Sequence, residues 1–169
     1  TTDEVIQQLI GSKPALGPQE KAYLEKMLKR WQAFATRFGD DQRSQAIRAE
    51  GHFRVASLFR KLGRLEEART EYETARNLQN KLAAAFSGAP AHRQSLATTH
   101  HQLGMLLRDL GQRDAARAEY ELARNLQQKL AADFPVGPQY RHELALTHKD
   151  LANLLVELGE RDAARTEYE

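Results

Sequence analysis

Among the residues able to do chemistry, histidines stand out, and three of them recur at one spacing: His52, His100 and His148, each 48 positions from the next. Imidazole is a ready general base and a common metal ligand, so a regular row of it raises both possibilities. The packing distance between helices argues against a shared ion. Neighbouring helices lie on the order of 10 Å apart, whereas zinc takes its ligands at about 2 Å, so one metal cannot join two of the three. His100 and His101 are consecutive and point apart on a helix, and His92 and His142 fall near the starts of helices. The favoured reading is a partly buried imidazole hydrogen-bonded between helices. Acidic pairs such as Glu66 with Glu67, or Asp109 with Asp114, suit solvated helix faces. Serine is sparse, no G-x-S-x-G run occurs, and neither a phosphate-cradling glycine loop nor a catalytic Asp loop is present. The sequence therefore predicts no catalytic residue, no metal and no cofactor.

What must position these histidines is a repeat. Gly63 to Phe86 reads GRLEEARTEYETARNLQNKLAAAF, Gly111 to Phe134 reads GQRDAARAEYELARNLQQKLAADF, and Gly159 to Glu169 reads GERDAARTEYE. Between 64–86 and 112–134, 15 of 23 positions are identical, and between 111–121 and 159–169, 9 of 11. A fixed period of 48 residues means stacked copies of one supersecondary unit, each touching only its neighbours.

Composition agrees with a helical stack. Of 169 residues, 41% are hydrophobic and 28% charged, with a formal net charge of +2. Basic residues are interleaved with acidic ones, as on solvated helices, and no clustered basic face with aromatics points to nucleic acid. No apolar run approaches the roughly 20 residues needed to span a bilayer, so no membrane contact is expected of this segment. Cysteine is absent, which fits a reducing, cytoplasmic compartment.

In order along the chain, Val5, Ile6, Leu9 and Ile10 give a short helical pattern over 3–10 that ends at Gly11 and Pro14. A longer amphipathic stretch follows, with Leu24, Met27 or Leu28, Trp31, Phe34 or Ala35, and Phe38 at steps of three and four. Gly39, Asp40 and Asp41 then stop one helix and start the next. Helices are predicted over about 44–61, 93–109 and 141–157, each followed by a glycine turn and a long second helix, with Gly88, Pro90, Pro135, Gly137 and Pro138 at the joints between units. This divides the chain into a degenerate N-terminal cap at 1–43, full units at 44–91 and 92–139, and a shortened unit at 140–169. The last unit stops inside its second helix, so Leu144, Leu151, Leu155 and Leu158 are expected to leave apolar surface uncovered. The expectation is that the natural protein continues, and that this fragment either frays here or covers the surface by self-association through the open C-terminal end.

His100, Leu103, Gly104, Leu107, Gly111, Ala116, Tyr120 and Ala123 stand at the spacing of the tetratricopeptide repeat, and the chain resembles that family over about 44–169. The neighbouring units read His52, Val55, Ala56, Phe59, Gly63, Ala68, Tyr72, Ala75 and His148, Leu151, Ala152, Leu155, Gly159, Ala164, Tyr168. The resemblance implies an all-α, right-handed α-solenoid of antiparallel helix pairs, with small residues at the seam and Tyr72, Tyr120 and Tyr168 filling the gap beside them. The usual unit is about 34 residues; here both helices are extended by about two turns, with Leu126, Leu130 and Phe134 lengthening the second helix. This enlarged form resembles repeats of large planctomycetal signalling proteins, often downstream of a serine/threonine kinase domain.

The resemblance further implies a non-catalytic module that binds a protein or peptide on the concave face lined by first helices. Carried over position by position, that face comprises Phe53, Ser57 and Arg60, then His101, Met105 and Arg108, then Lys149, Asn153 and Val156. Phe53 and Met105 would supply apolar contacts, and Arg60, Arg108 and Lys149 would anchor carboxylates. Lys149 and Asn153 also match the first pair of a clamp that some members use for a C-terminal carboxylate. The alternative is a structural spacer or self-association element.

Overall fold

In a computed structural model, residues 17–35 and 41–168 are described, apart from the side chains of 20, 34 and 35. The predicted helix over 3–10, Phe38 and Glu169 lie outside them. Among the described residues there are seven helices and no strand: α1 (Pro18–Ala35), α2 (Gln42–Lys61), α3 (Leu65–Ala85), α4 (Pro90–Asp109), α5 (Arg113–Asp133), α6 (Pro138–Glu157) and α7 (Arg161–Tyr168). Each helix packs on the next in sequence, which gives an all-α, tetratricopeptide-like solenoid.

The helix ends follow from local chemistry. Asp41 caps α2 by accepting from the Ser44 backbone N–H at 3.1 Å, so one orphan donor of the first turn is satisfied. Pro90 and Pro138 occupy the first turns of α4 and α6, where a missing N–H costs nothing. This corrects the expected starts near 93 and 141: the two prolines expected at the joints lie within the helices. The first helices all end alike. Gly63 N–H donates to Arg60 O and Arg64 N–H to Phe59 O, and the same pair of bonds recurs at Gly111 and Gln112 and at Gly159 and Glu160. That Schellman closure needs a left-handed residue, and the three glycines have φ of 75°, 74° and 82°.

Small residues make the seam. Ala68, Ala116 and Ala164 are buried, as are Ala75 and Ala123, and Tyr72 and Tyr120 fill the adjoining gap at 1% and 0% exposure. Gly104 has a separate reason to lack a side chain: a Cβ there would sit 2.7–3.0 Å from the Tyr120 ring. Tyr168 departs from expectation, being 57% exposed. Tyr120 is covered by α6 through Leu151, Ala152 and Leu155, and no described helix does the same for Tyr168.

The expected uncovered stripe on α6 is also corrected. Leu151 and Leu155 are 1% and 3% exposed, because they pack inward on Leu107, Ala116, Tyr120 and Ala164; Leu144 and Leu158 are half-buried. The apolar residues that α6 and α7 do present are Leu146, Val156 and Tyr168.

Candidate functional site

The histidine row is a structural joint. His52 Nδ1 lies 2.6 Å from Glu71 Oε2, His100 Nδ1 2.5 Å from Glu119 Oε2, and His148 Nδ1 2.7 Å from Glu167 Oε2. Each bond ties the first helix of a unit to its second. A carboxylate only accepts, so Nδ1 carries the hydrogen. Two of these carboxylates also take an arginine from the preceding unit: Arg76 Nη1 donates to Glu119 Oε1 at 2.7 Å, and Arg124 pairs with Glu167. Position 28 is where the corresponding arginine for Glu71 would stand, and it is the buried Leu28. The Arg–Glu–His relay therefore joins α3 to α5 and α5 to α7. Among the described residues no cluster of three or more His, Cys, Asp or Glu could hold a metal ion.

The nine residues expected on the concave face fall into three groups. Phe53, Ser57 and Arg60 of α2 line one groove of about 720 Å³, together with Trp31 of α1, Leu65 and Tyr72 of α3, and Gln102 and Asp109 of α4. Its floor is apolar and aromatic, with Phe53 and Tyr72 edge to face at 5.5 Å and Leu58 beneath. Arg54, Arg60, Lys61 and Asp109 stand at its rim, with Arg54 paired to Glu50 and Arg60 to Asp109. Ser57 Oγ is 2.9 Å from Tyr72 Oη. Burial pushes the Tyr72 hydroxyl above its usual pKa, against the Ser57 hydrogen bond and the nearby Arg60 charge.

His101, Met105 and Arg108 of α4 are tied into the stack. His101 Nε2 lies 3.0 Å from Asp150 Oδ2 and its ring packs on Tyr120 at 5.5 Å. Arg108 forms a two-pronged pair with Glu157. That bond holds the Glu157 carboxyl below its usual range and raises the guanidinium. Met105 Sδ is 3.9 Å from Arg60 Nη1, and Arg60 also donates to Asp109 Oδ2 at 2.9 Å. The arginines expected to anchor a partner's carboxylate thus already hold carboxylates of the next unit, and an incoming acid would compete for them.

Lys149, Asn153 and Val156 of α6 do not line the groove. Lys149 is exposed, 3.7 Å from Asp150. Asn153 Oδ1 accepts from Tyr168 Oη at 2.7 Å, and Val156 is half exposed.

Tyr120 shows what distinguishes the middle unit. Its hydroxyl is buried and unpartnered, because Met105 stands where Ser57 and Asn153 serve Tyr72 and Tyr168. Burial first, and then the negative charge of Asp150, push its pKa up. Sequence reasoning found the histidines and the tyrosines but missed Trp31, Leu65 and the carboxylates that answer Arg60, His101 and Arg108. A usable signal was present. Complementary charges stand 49 apart at Arg60 and Asp109, His101 and Asp150, and Arg108 and Glu157, one beyond the period, which places them on facing first helices.

The tetratricopeptide repeat model matches residues 49–81 and 97–129, the two stretches that run from within α2 and α4 into α3 and α5. The chain carries tetratricopeptide repeats at these positions. Such repeats generally mediate protein–protein interaction, and their all-helical fold is typically non-catalytic. No curated protein sequence matches the chain. Among the described residues, no helix is long and apolar enough to cross a membrane.

Proposed function

We propose that this chain is a non-catalytic interaction module that binds a protein or peptide ligand on its concave face. The observation that carries the reading is the groove of about 720 Å³ beside α2, where Phe53, Ser57 and Arg60 converge with Trp31 and Tyr72. Its size falls within the range of sites that enclose ligands, and its apolar floor with a charged rim is the composition of a peptide-recognition groove. Within this reading the units are a cap at 1–43, repeats at 44–91 and 92–139, and a shorter repeat at 140–169. The long period and the resemblance to kinase-associated arrays support a role in a larger bacterial signalling protein, in the cytoplasm.

A peptide-library screen against the wild type and a Phe53→Ala, Met105→Ala, Arg108→Ala triple variant tests it. Selected peptides should bind the wild type and lose most of their affinity for the variant. Equal binding by both would remove the concave face from consideration.

A second reading, a spacer or self-association element, is supported by the exposed Leu146, Val156 and Tyr168 on α6 and α7. Sedimentation of the wild type beside a Leu146→Asp, Val156→Asp variant separates the two. A concentration-dependent dimer abolished by the substitutions favours self-association, whereas a monomer in both cases removes it.

A further inference from the structure

The first helices of this stack face one another in register, and the register identifies what fits the groove beside α2. On α4, Gln102 and Asp109 receive Arg60 of α2. On α6, Asp150 and Glu157 receive His101 and Arg108 of α4. Between these residues, Leu106 and Leu154 are wholly buried, Leu106 in a cluster with Val55 and Phe59 and Leu154 in one with Leu107 and Tyr120, all of the preceding unit. One period of 48 before Gln102, Leu106 and Asp109 stand Arg54, Leu58 and Lys61 of α2, and all three line the groove. Its facing wall is Trp31 of α1, the helix that precedes α2 as α3 precedes α4. The groove is thus placed where the first helix of an earlier unit would stack. We propose that its occupant is the chain's own segment 3–10, docked as a short helix, and, resting on the concave-face reading above, that a partner peptide must displace this segment to bind.

Pattern, length and reach all select this segment. Val5, Ile6, Leu9 and Ile10 recur at helical spacing, which gives it one apolar face, and Trp31, Phe53, Leu58 and Leu65 offer that face an apolar floor. Eight helical residues run about 12 Å, and the stretch of α2 from Phe53 to Lys61 is about 12 Å as well. First helices stack parallel, so the segment's end at Ile10 falls beside the Lys61 end of α2. The start of α1 lies at that same end, because Glu25 stands 3.7 Å from Arg64 just beyond α2. Glu25 is about 10 Å along α1 from Pro18. The seven residues 11–17 that join the segment to Pro18 reach about 23–25 Å when extended, so the connection closes with length to spare.

Trp31 is the chain's sole tryptophan and lines the groove, so its emission reports whether the segment is seated. Leu9→Asp with Ile10→Asp puts charge on the apolar face, which cannot then be buried. Trp31 emission should move to longer wavelength, and its quenching by acrylamide should rise about twofold. The chain has no cysteine, so a nitroxide on Gln8→Cys is unique and leaves the apolar face intact. It should broaden the amide signals of Phe53, Ser57 and Lys61 and spare those of Asn153 and Val156, and it serves even if the aspartate pair unfolds the chain. Unchanged emission and quenching in the aspartate variant, or broadening that is absent from α2 or equal on α2 and α6, would overturn the seated segment. A library peptide lost in the triple variant should bind the aspartate variant at least about tenfold more tightly than the wild type, since nothing has to be displaced. Equal binding to both overturns the competition and leaves concave-face binding standing. If the screen yields no peptide while α2 is still broadened, the concave-face reading fails and the seated segment stands.

Discussion

The first and second units share a backbone and finish the same slot differently. In the first, Tyr72 is bonded to Ser57 and meets Phe53 edge to face, and the surface above stays open. In the second, Tyr120 lies against the bare Gly104 and under His101, its hydroxyl unpartnered, and His101 reaches Asp150 of α6 where the first unit has Phe53; the outer arginine pair, Arg60 with Asp109 and Arg108 with Glu157, is common to both. The difference teaches that the seam and the outer face of the first helices are separately adjustable. The seam is carried by alanine and the tyrosine ring, common to both units, whereas the outer face of the first helices depends on residues that can change without disturbing the stack.

The sharpest way to break that comparison is to remove the ring. Tyr120→Ala should lower stability by about 3–5 kcal/mol, since it empties a fully buried site, while Tyr168→Ala at the exposed end should stay within about 0.5 kcal/mol. Urea denaturation of the two variants checks this, and similar losses would mean the slot is not a seam in the middle unit.

Next in size is the relay. Glu119→Gln leaves both Arg76 and His100 without their carboxylate, and a loss of about 1.5–3 kcal/mol is expected for charge-assisted bonds. Glu71→Gln, which abandons only His52, should cost clearly less in the same denaturation series. An Arg76→Ala, Glu119→Gln double-mutant cycle should show coupling; additivity would deny that the relay links the units.

Gly104→Ala sets two effects against each other. Alanine gains about 1 kcal/mol of helix propensity, but its methyl would press on the Tyr120 ring, and overpacking costs about 1–3 kcal/mol. A net loss of about 1 kcal/mol is expected, seen as a lowered Tm. A raised Tm would show that the ring can yield.

The smallest contrast concerns the two hydroxyls. Tyr72→Phe should cost about 0.5–1.5 kcal/mol for the bond to Ser57, whereas Tyr120→Phe should be neutral or stabilising. Burial raises both phenol pKa values in the folded chain, so the stability they support is fully present below the unfolded value of about 10 and is lost as pH rises through the folded value. Thermal unfolding from pH 9 upward should therefore show less alkaline destabilisation in Tyr120→Phe than in the wild type.

Much of this was legible in the sequence. The period, the glycine stops and the small-residue seam each follow from a residue type whose physics is local: Gly63 must turn left-handed, and Ala116 must be small. The histidine bond was legible too, because His52, His100 and His148 recur. Other features were not, since they depend on pairs brought together only by stacking. Neither Arg60 nor Asp109 signals by itself that the other will occupy it, and Trp31 joins Phe53 only once α1 is laid against α2. Pro90 and Pro138 misled in the opposite sense, because a proline in a first turn and one in a loop look alike along the chain.

The most direct test of the proposed groove beside α2 is a map of amide chemical-shift changes on adding a peptide selected in the library screen. The largest changes should cluster on α1 to α3 around Trp31, Phe53, Leu58 and Leu65. Changes centred instead on Lys149, Asn153 and Val156, or spread evenly along all three units, would contradict the account.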